Sequence, residues 1–325
     1  MTAGFRTHSF GARGTFAGVP EAGIADVGGA RAVILGAPFD WGTTHRPGAR
    51  FGPKAIRESD PLGHNGSRPE LTTGIDPLVE LGVVDVGDIE VVPGYLEHSL
   101  ELITDAVATV AAQGAVPVVL GGDHTITFAD ATAVARVHGA GRIALVHFDA
   151  HADTAETHYG MLHGHGTPMR RLIESGAVPG HRFVQIGLRG YWPPPAVVAW
   201  MRDQEMRWHT MDEIRERGLD AVIDDAMATA ARDADGVFVS VDIDVVDPSA
   251  APATGTPEPG GLSAGELLGA LRRLGSELPL VGVDVVEVSP VYDAPADITA
   301  LLANRAVLAI LTGMAHRLRK GDGVT

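Results

Sequence analysis

The chain contains no cysteine among its 325 residues. That excludes a disulfide scaffold, thiolate metal ligands and a cysteine nucleophile. Positive charge is scarce: 25 Lys and Arg face 41 Asp and Glu, for a formal net charge of −16. Such a balance argues against nucleic acid as a partner, because phosphates require a basic footprint. It is compatible with small cationic substrates and with a well-solvated surface. No continuous apolar run approaches the roughly 18 residues needed to span a bilayer, so no membrane partner is expected. The opening stretch MTAGFRTHSFGARGTFAG has basic residues but lacks the apolar segment of a signal peptide. A cytoplasmic protein is the expectation. Hydrophobic residues nevertheless make up 45% of the chain, enough for a sizeable core.

Residues 1–30 are rich in glycine and weakly periodic, and read as an arm or irregular cap. From there short β-branched runs alternate with longer helical patterns. Strands are expected at Ala32–Gly36, Val79–Val86, Val116–Leu120, Ile143–Phe148, Arg182–Ile186, Met206–His209, Val237–Val241 and Leu280–Val285. Helices are expected at Leu96–Gln113, Thr125–His138, Thr167–Ser175, Ala196–Arg202, Met211–Arg232, Ser263–Leu274 and Asp297–Arg317. Several strands (AVILG, VPVVL, IALVHF) are uninterrupted apolar runs, as parallel strands covered on both faces require. The alternation implies an α/β fold of three layers, α/β/α, around a mainly parallel sheet of roughly eight strands. One domain is expected over 31–318, with a tail at 319–325. Long loops rich in Gly, Pro and Thr lie at 39–53, 154–166 and 248–261.

Three segments carry metal-ligating side chains, each just after a candidate strand: His124 in GGDHTIT, Asp149, His151 and Asp153 in HFDAHAD, and Asp242 and Asp244 in SVDIDVVDP. Ligands collect beyond the carboxyl ends of parallel strands, so these placements converge. In an extended chain, positions i, i+2 and i+4 share a face, which would aim Asp149, His151 and Asp153 the same way, and Asp242 and Asp244 likewise. Adjacent carboxylates repel unless a cation neutralises them. Two imidazoles and four carboxylates form a hard, oxygen-rich set that suits Mn²⁺ better than Zn²⁺. Two such ions can activate water against an unreactive carbon. Asp123 is a candidate partner for the ligands, and Asp247, before Pro248, reads as a turn residue.

Together GGDHTIT, HFDAHAD, HGTPMRR, SVDIDVVDPSAAPATGTPEPGGL and GVDVVEVSPVYD resemble the ureohydrolase family of arginases, agmatinases and guanidinobutyrases, over residues 31 to 315. The resemblance implies an arginase-like fold, two Mn²⁺ per subunit and hydrolysis of a guanidinium to an amine and urea. It implies one ion on His124, Asp149, Asp153 and Asp242, and the other on Asp149, His151, Asp242 and Asp244. It implies that catalysis draws on Asp153, on His165 in HGTP as the proton relay to the departing amine, and on Glu287 in DVVEVSP as the guanidinium's partner. Thr256 in TGTP matches a substrate-binding threonine beside that carboxylate. His163, two residues before His165, competes for the relay, but only His165 fits the HGTP register. By the same resemblance a homo-oligomer, trimer or hexamer, is expected.

Arginases typically carry Asn two residues after the last Asp of HFDAHAD, to hold the substrate's α-carboxylate; this chain has Ala155. The expected substrate is therefore agmatine, yielding putrescine and urea. A guanidino acid, as for guanidinobutyrase or proclavaminate amidinohydrolase, is the alternative. A formimino substrate and a catalytically silent metal-binding homologue stay open behind them. Candidate walls for the substrate's far end are Asp40, Trp41, His45, Arg46, Arg50, Arg189, Tyr191 and Trp192, although the arginines read more readily as structural or intersubunit contacts.

Overall fold

The computed structural model describes residues 14–62, 65–293 and 296–321. Residues 1–13 of the expected arm and 322–325 of the expected tail lie outside them. Eight parallel strands form one sheet: β1 (Ala32–Gly36), β2 (Val84–Asp88), β3 (Val116–Leu120), β4 (Ile143–Phe148), β5 (Phe183–Leu188), β6 (Arg207–Thr210), β7 (Gly236–Asp242) and β8 (Leu280–Val286). Their order is β2-β1-β3-β8-β7-β4-β5-β6. The chain leaves β3, crosses to β4, builds outward to β6, and returns to lay β7 and β8 in the gap. The four central strands therefore sit side by side although they are spread across the sequence.

Among the described residues ten α-helices cover the sheet: α1 (Gly52–Glu58), α2 (Pro77–Glu80), α3 (Leu96–Ala111), α4 (Ile126–His138), α5 (Pro168–Glu174), α6 (Pro195–Asp203), α7 (Met211–Arg217), α8 (Leu219–Ala230), α9 (Ala264–Glu277) and α10 (Ile298–Arg319). Alternate strand residues face opposite layers. Val237, Val239 and Val241 of β7 join the core under α1, α2 and α7 to α10, whereas Phe238 joins the core under α3 to α6. This is the expected α/β/α sandwich.

Several boundaries differ from expectation. The segment expected as strand Val79–Val86 begins with helix α2, and β2 starts only at Val84. Helix α1 was not expected; Gly52 and Pro53 at its start read as loop chemistry, yet proline is well suited to a first helical turn. The helix expected over Met211–Arg232 is two, broken at Gly218 with φ 84°. Helix α10 is long and apolar enough to cross a membrane by length and composition, a property hidden from a search for unbroken apolar runs. Its most apolar stretch is 78% buried, and it packs along α9 as a core helix.

Phe16 is fully buried within the core, and its backbone N–H donates to Asp85 Oδ2 at 2.8 Å. Asp85 also takes both arms of the buried Arg57 guanidinium, at 2.8 and 3.0 Å, which ties α1 to β2.

Candidate metal centre

The carboxyl ends of the four central strands deliver every expected ligand to one place. His124 follows β3, Asp149 to Asp153 follow β4, Asp242 ends β7, and Glu287 follows β8. The local geometry is not the extended alternation expected. Asp244 lies in a single 3-10 turn, Ile243–Val245, whose first N–H groups are capped by Asp242: Asp244 N donates to Asp242 Oδ1 at 2.8 Å. Asp153 turns its side chain inward from a left-handed backbone, φ 51°, and Glu287 does the same at φ 64°. Such conformations cost on the order of 1–3 kcal/mol each and persist where surrounding structure enforces them.

His124 Nδ1 lies 3.1 Å from Asp149 Oδ2, 3.1 Å from Asp153 Oδ2 and 3.2 Å from Asp242 Oδ2. This nitrogen is buried and makes no hydrogen bond of acceptable geometry, although three carboxylate oxygens converge on it. Convergence without a hydrogen bond is what a shared cation, rather than a shared proton, would satisfy. The second position is built on His151 Nδ1, 3.0 Å from Asp244 Oδ2 and 3.4 Å from Asp149 Oδ1. Asp149 thus offers one oxygen to each position. Asp242 faces the first through Oδ2, while its Oδ1 is engaged by Asp244 N.

Electrostatics point the same way. Burial pushes the Asp242 carboxyl well above its ordinary range, and Asp244 and Asp149 push it further. Burial opposes protonation of His151, yet Asp244 and Asp149 carry it up to about 12. Without added positive charge the histidines must serve as cations. Two divalent ions would balance the four aspartates and release those protons. The donor set fits hard divalent cations of the Mn²⁺ type.

The partners behind the ligands fix their tautomers. His124 Nε2 is 2.9 Å from Ser240 Oγ, which leaves Nδ1 free to face the carboxylates. Thr127 Oγ1 lies 3.4 Å from that serine and donates to Asp284 Oδ2 at 2.8 Å. His147 was missed by sequence reasoning, although the alternation in HFDAHAD extends one step back to it. Its Nε2 lies 2.8 Å from Asp149 Oδ2, and the donor atoms of His124, His147, Asp149 and Asp153 all lie within 4.8 Å of one another. The Gln185 amide donates to His147 Nδ1 at 2.9 Å, so Nε2 carries the proton and donates to Asp149. In this arrangement His147 orients the Asp149 carboxylate.

A cleft of about 200 Å³ opens over the cluster, lined by His151, Asp153 and Asp242 on the metal side and by Thr44, His158, His165, Gly166, Trp192 and Thr256 beyond. His165 Nε2 lies 2.7 Å from Thr44 Oγ1, and Nδ1 lies 3.2 Å from Glu287 Oε1. Burial opposes its charge, but Glu287, Asp123 and Asp153 raise its pKa to about 9. Glu287 Oε1 also accepts from His124 N at 2.9 Å, whereas Oε2 is buried without a partner. His163 is elsewhere: it stacks on Phe128 and lines a separate cavity between α3 and α4.

Other expected residues take different places. Thr256 Oγ1 donates to Asp244 Oδ2 at 3.4 Å, and it is the neighbouring Gly255 that lies against Glu287. Asp123 does not touch the His124 ring; it accepts from Gly42 N at 2.8 Å and Thr125 N at 2.9 Å, holding the first loop against α4. Asp247 is a turn residue as expected, accepting from Ser249 N and Gly260 N. Of the candidate far walls only Trp192 lines the cleft. Asp40 is buried in an ion pair with Arg50, whose guanidinium lies over the Trp41 ring. Arg189 spends its guanidinium on backbone carbonyls, including those of Asp244 at 2.6 Å and Glu258 at 2.7 Å.

Comparison with known proteins agrees with this geometry. The Arginase family model matches residues 30–313. The chain is 41% identical over 287 residues to proclavaminate amidinohydrolase of Streptomyces clavuligerus, covering 88% of this chain and 89% of that one. It is 40% identical over 291 residues to the mitochondrial agmatinase of Gallus gallus, covering 88% and 82%. The solved structure of the Streptomyces clavuligerus enzyme superimposes with a TM-score of 0.86 at 38% identity, over 95% of this chain and 99% of that one. With the His and Asp cluster at the strand ends and relatives alike along nearly the whole chain, the protein belongs to the arginase family, hydrolases that cleave C–N bonds of linear amidines in guanidino compounds.

Proposed function

We propose that the substrate is agmatine, hydrolysed to putrescine and urea, and that the metals are two Mn²⁺ per chain held by His124, Asp149, His151, Asp153, Asp242 and Asp244. The observation that carries this reading is the cleft wall: among the described residues no Lys or Arg side chain lines it, while carboxylates and aromatic rings do. A substrate cationic at both ends meets no Lys or Arg charge there, and the aromatic ring of the outer wall offers a cation its negative face.

When bound, the metals supply activation of the attacking water and electrostatic stabilisation of the developing charge. The protein does the rest. Glu287 Oε2, buried without a partner, offers a charge-assisted hydrogen bond to the guanidinium N–H groups. Water adds to the guanidinium carbon, and the bond from that carbon to the alkyl-bearing nitrogen breaks. His165, held by Thr44 and Glu287, donates the proton that lets the basic amine leave.

A guanidino acid is the second reading, favoured by one feature. The Arg46 guanidinium lies 5.5 Å from the centre of the Tyr292 ring and has no carboxylate partner among the described residues. Its carbonyl is 3.7 Å from where a side chain on Gly255 would begin, a point 2.8 Å from Glu287 Oε2. A shift of the loop that carries it would bring a cation to an acidic tail. Comparing kcat/KM for agmatine and 4-guanidinobutyrate with Mn²⁺ supplied separates the two: agmatine is expected to be preferred, and a tenfold or greater preference for the acid would overturn the choice of substrate. Cytoplasmic location and assembly into a trimer or hexamer remain part of the proposal.

A further inference from the structure

Three rings line the cleft, with His158 between the other two in contact: its ring centre is 6.0 Å from that of His165 and 6.5 Å from that of Trp192. His165 marks the catalytic end beside Glu287, and Trp192, 36% exposed, marks the mouth. Nothing in the reaction described above uses His158. Its position is nonetheless fixed. A tight turn pins it, with His158 N donating to Met161 O at 3.0 Å and Met161 N donating to His158 O at 2.8 Å. The imidazole lies against Gly166, where a Cβ would come within 2.3 Å of His158 Cε1. A side chain at 166 would displace that ring.

The imidazole is held but not hydrogen-bonded. Neither ring nitrogen has a hydrogen-bond partner among the described residues, and Nδ1 is buried. Burial, and next the charge of His165, depress its pKa below the ordinary value, with Asp153 opposing. A neutral imidazole on a cleft wall offers a lone pair, and a neighbouring indole offers a negative ring face; an ammonium group uses both.

We propose that His158 and Trp192 form the subsite for the ammonium group at the far end of the substrate. This rests on the reading of agmatine as the substrate and adds what in this chain recognises it. His158 and Trp192 line the same cleft as His165, with His158 6.0 Å from His165 between ring centres, and His165 stands beside Glu287. A guanidinium held at Glu287 leaves its four-carbon tail and terminal ammonium to the part of the cleft that these two rings wall.

The test compares agmatine with n-butylguanidine, which has the same carbon chain and no terminal ammonium, on the Mn²⁺-loaded enzyme and its variants. The unaltered enzyme is expected to prefer agmatine in kcat/KM by about tenfold or more, as loss of a hydrogen bond to a charged group implies. His158→Phe removes the lone pair and keeps a ring; most of that preference is expected to vanish, through KM for agmatine. His158→Gln returns an acceptor and is expected to recover part of it. Metal content and Tm, measured on each variant, report whether the fold is intact. A preference unchanged in His158→Phe, or a parallel fall for both substrates, would overturn the subsite and leave agmatine as substrate. An unaltered enzyme that prefers 4-guanidinobutyrate to agmatine would overturn the underlying reading, and the subsite with it.

Discussion

Asp149 is the residue on which both proposed metal positions depend, because its two carboxylate oxygens face His124 Nδ1 and His151 Nδ1 separately. Asp149→Ala is expected to abolish turnover and to leave the chain unable to hold two metals tightly. Metal analysis after gel filtration checks this, and two retained ions would contradict the bridge. In the proposed reaction His165 moves a proton, so His165→Asn is expected to lower kcat about 10²- to 10⁴-fold with metal content unchanged. His163→Asn, on a ring that faces another cavity, is expected to do far less. The raised pKa of His165 has a consequence for stability as well. Its folded value of about 9 exceeds the ordinary 6.5, so its contribution in the metal-free protein is complete below pH 6.5 and lost as pH rises through about 9. Urea unfolding of the metal-free protein should show that slope, and His165→Asn should lack it.

Between the residues and the sheet, small elements aim the site. The 3-10 turn Ile243–Val245 puts Asp244 beside His151, and Arg189 clamps the carbonyls of Asp244 and Val245 from behind. Arg189→Ala is therefore expected to weaken metal binding roughly 10- to 100-fold, as loss of a group that orients ligands does, readable by titrating Mn²⁺ into metal-free protein. Helix α1 is anchored through the buried pair of Arg57 with Asp85. Arg57→Ala leaves that carboxylate buried and uncompensated, and is expected to cost about 3–5 kcal/mol in denaturant unfolding. These elements were also the least legible in the sequence. β1, β3 and β4, as unbroken apolar runs, have the expected bounds. Helices α1 and α2 are short and carry proline in the first turn, and the place of α1 depends on contacts such as Arg57 with Asp85 that no local pattern announces. The inward turn of Asp153 and Glu287 from left-handed backbone was invisible for the same reason, since the surrounding fold imposes it.

At the scale of the whole molecule, one topological event makes the enzyme: β7 and β8 return to fill the gap between β3 and β4. Strand ends far apart in sequence become neighbours, and the ligands arrive together. The ligand types and their strand-end positions were legible because they recur at short spacing after apolar runs. His147 and His158 were not, since a ring's partner is decided by packing from other segments, Gln185 for one and Gly166 for the other. The sandwich therefore brings together buried carboxylates that only cations relieve, and metal should stabilise it. Raising free Mn²⁺ from negligible to about a hundred times its Kd is expected to add about 2.7 kcal/mol per site to unfolding free energy. The central claim, that this cluster hydrolyses a guanidinium, is tested most directly by urea release. Purified protein supplied with Mn²⁺ would be given agmatine, arginine, 4-guanidinobutyrate, 3-guanidinopropionate and guanidine in turn. Urea from agmatine above all the others is the predicted result; no urea from any of them would contradict the account.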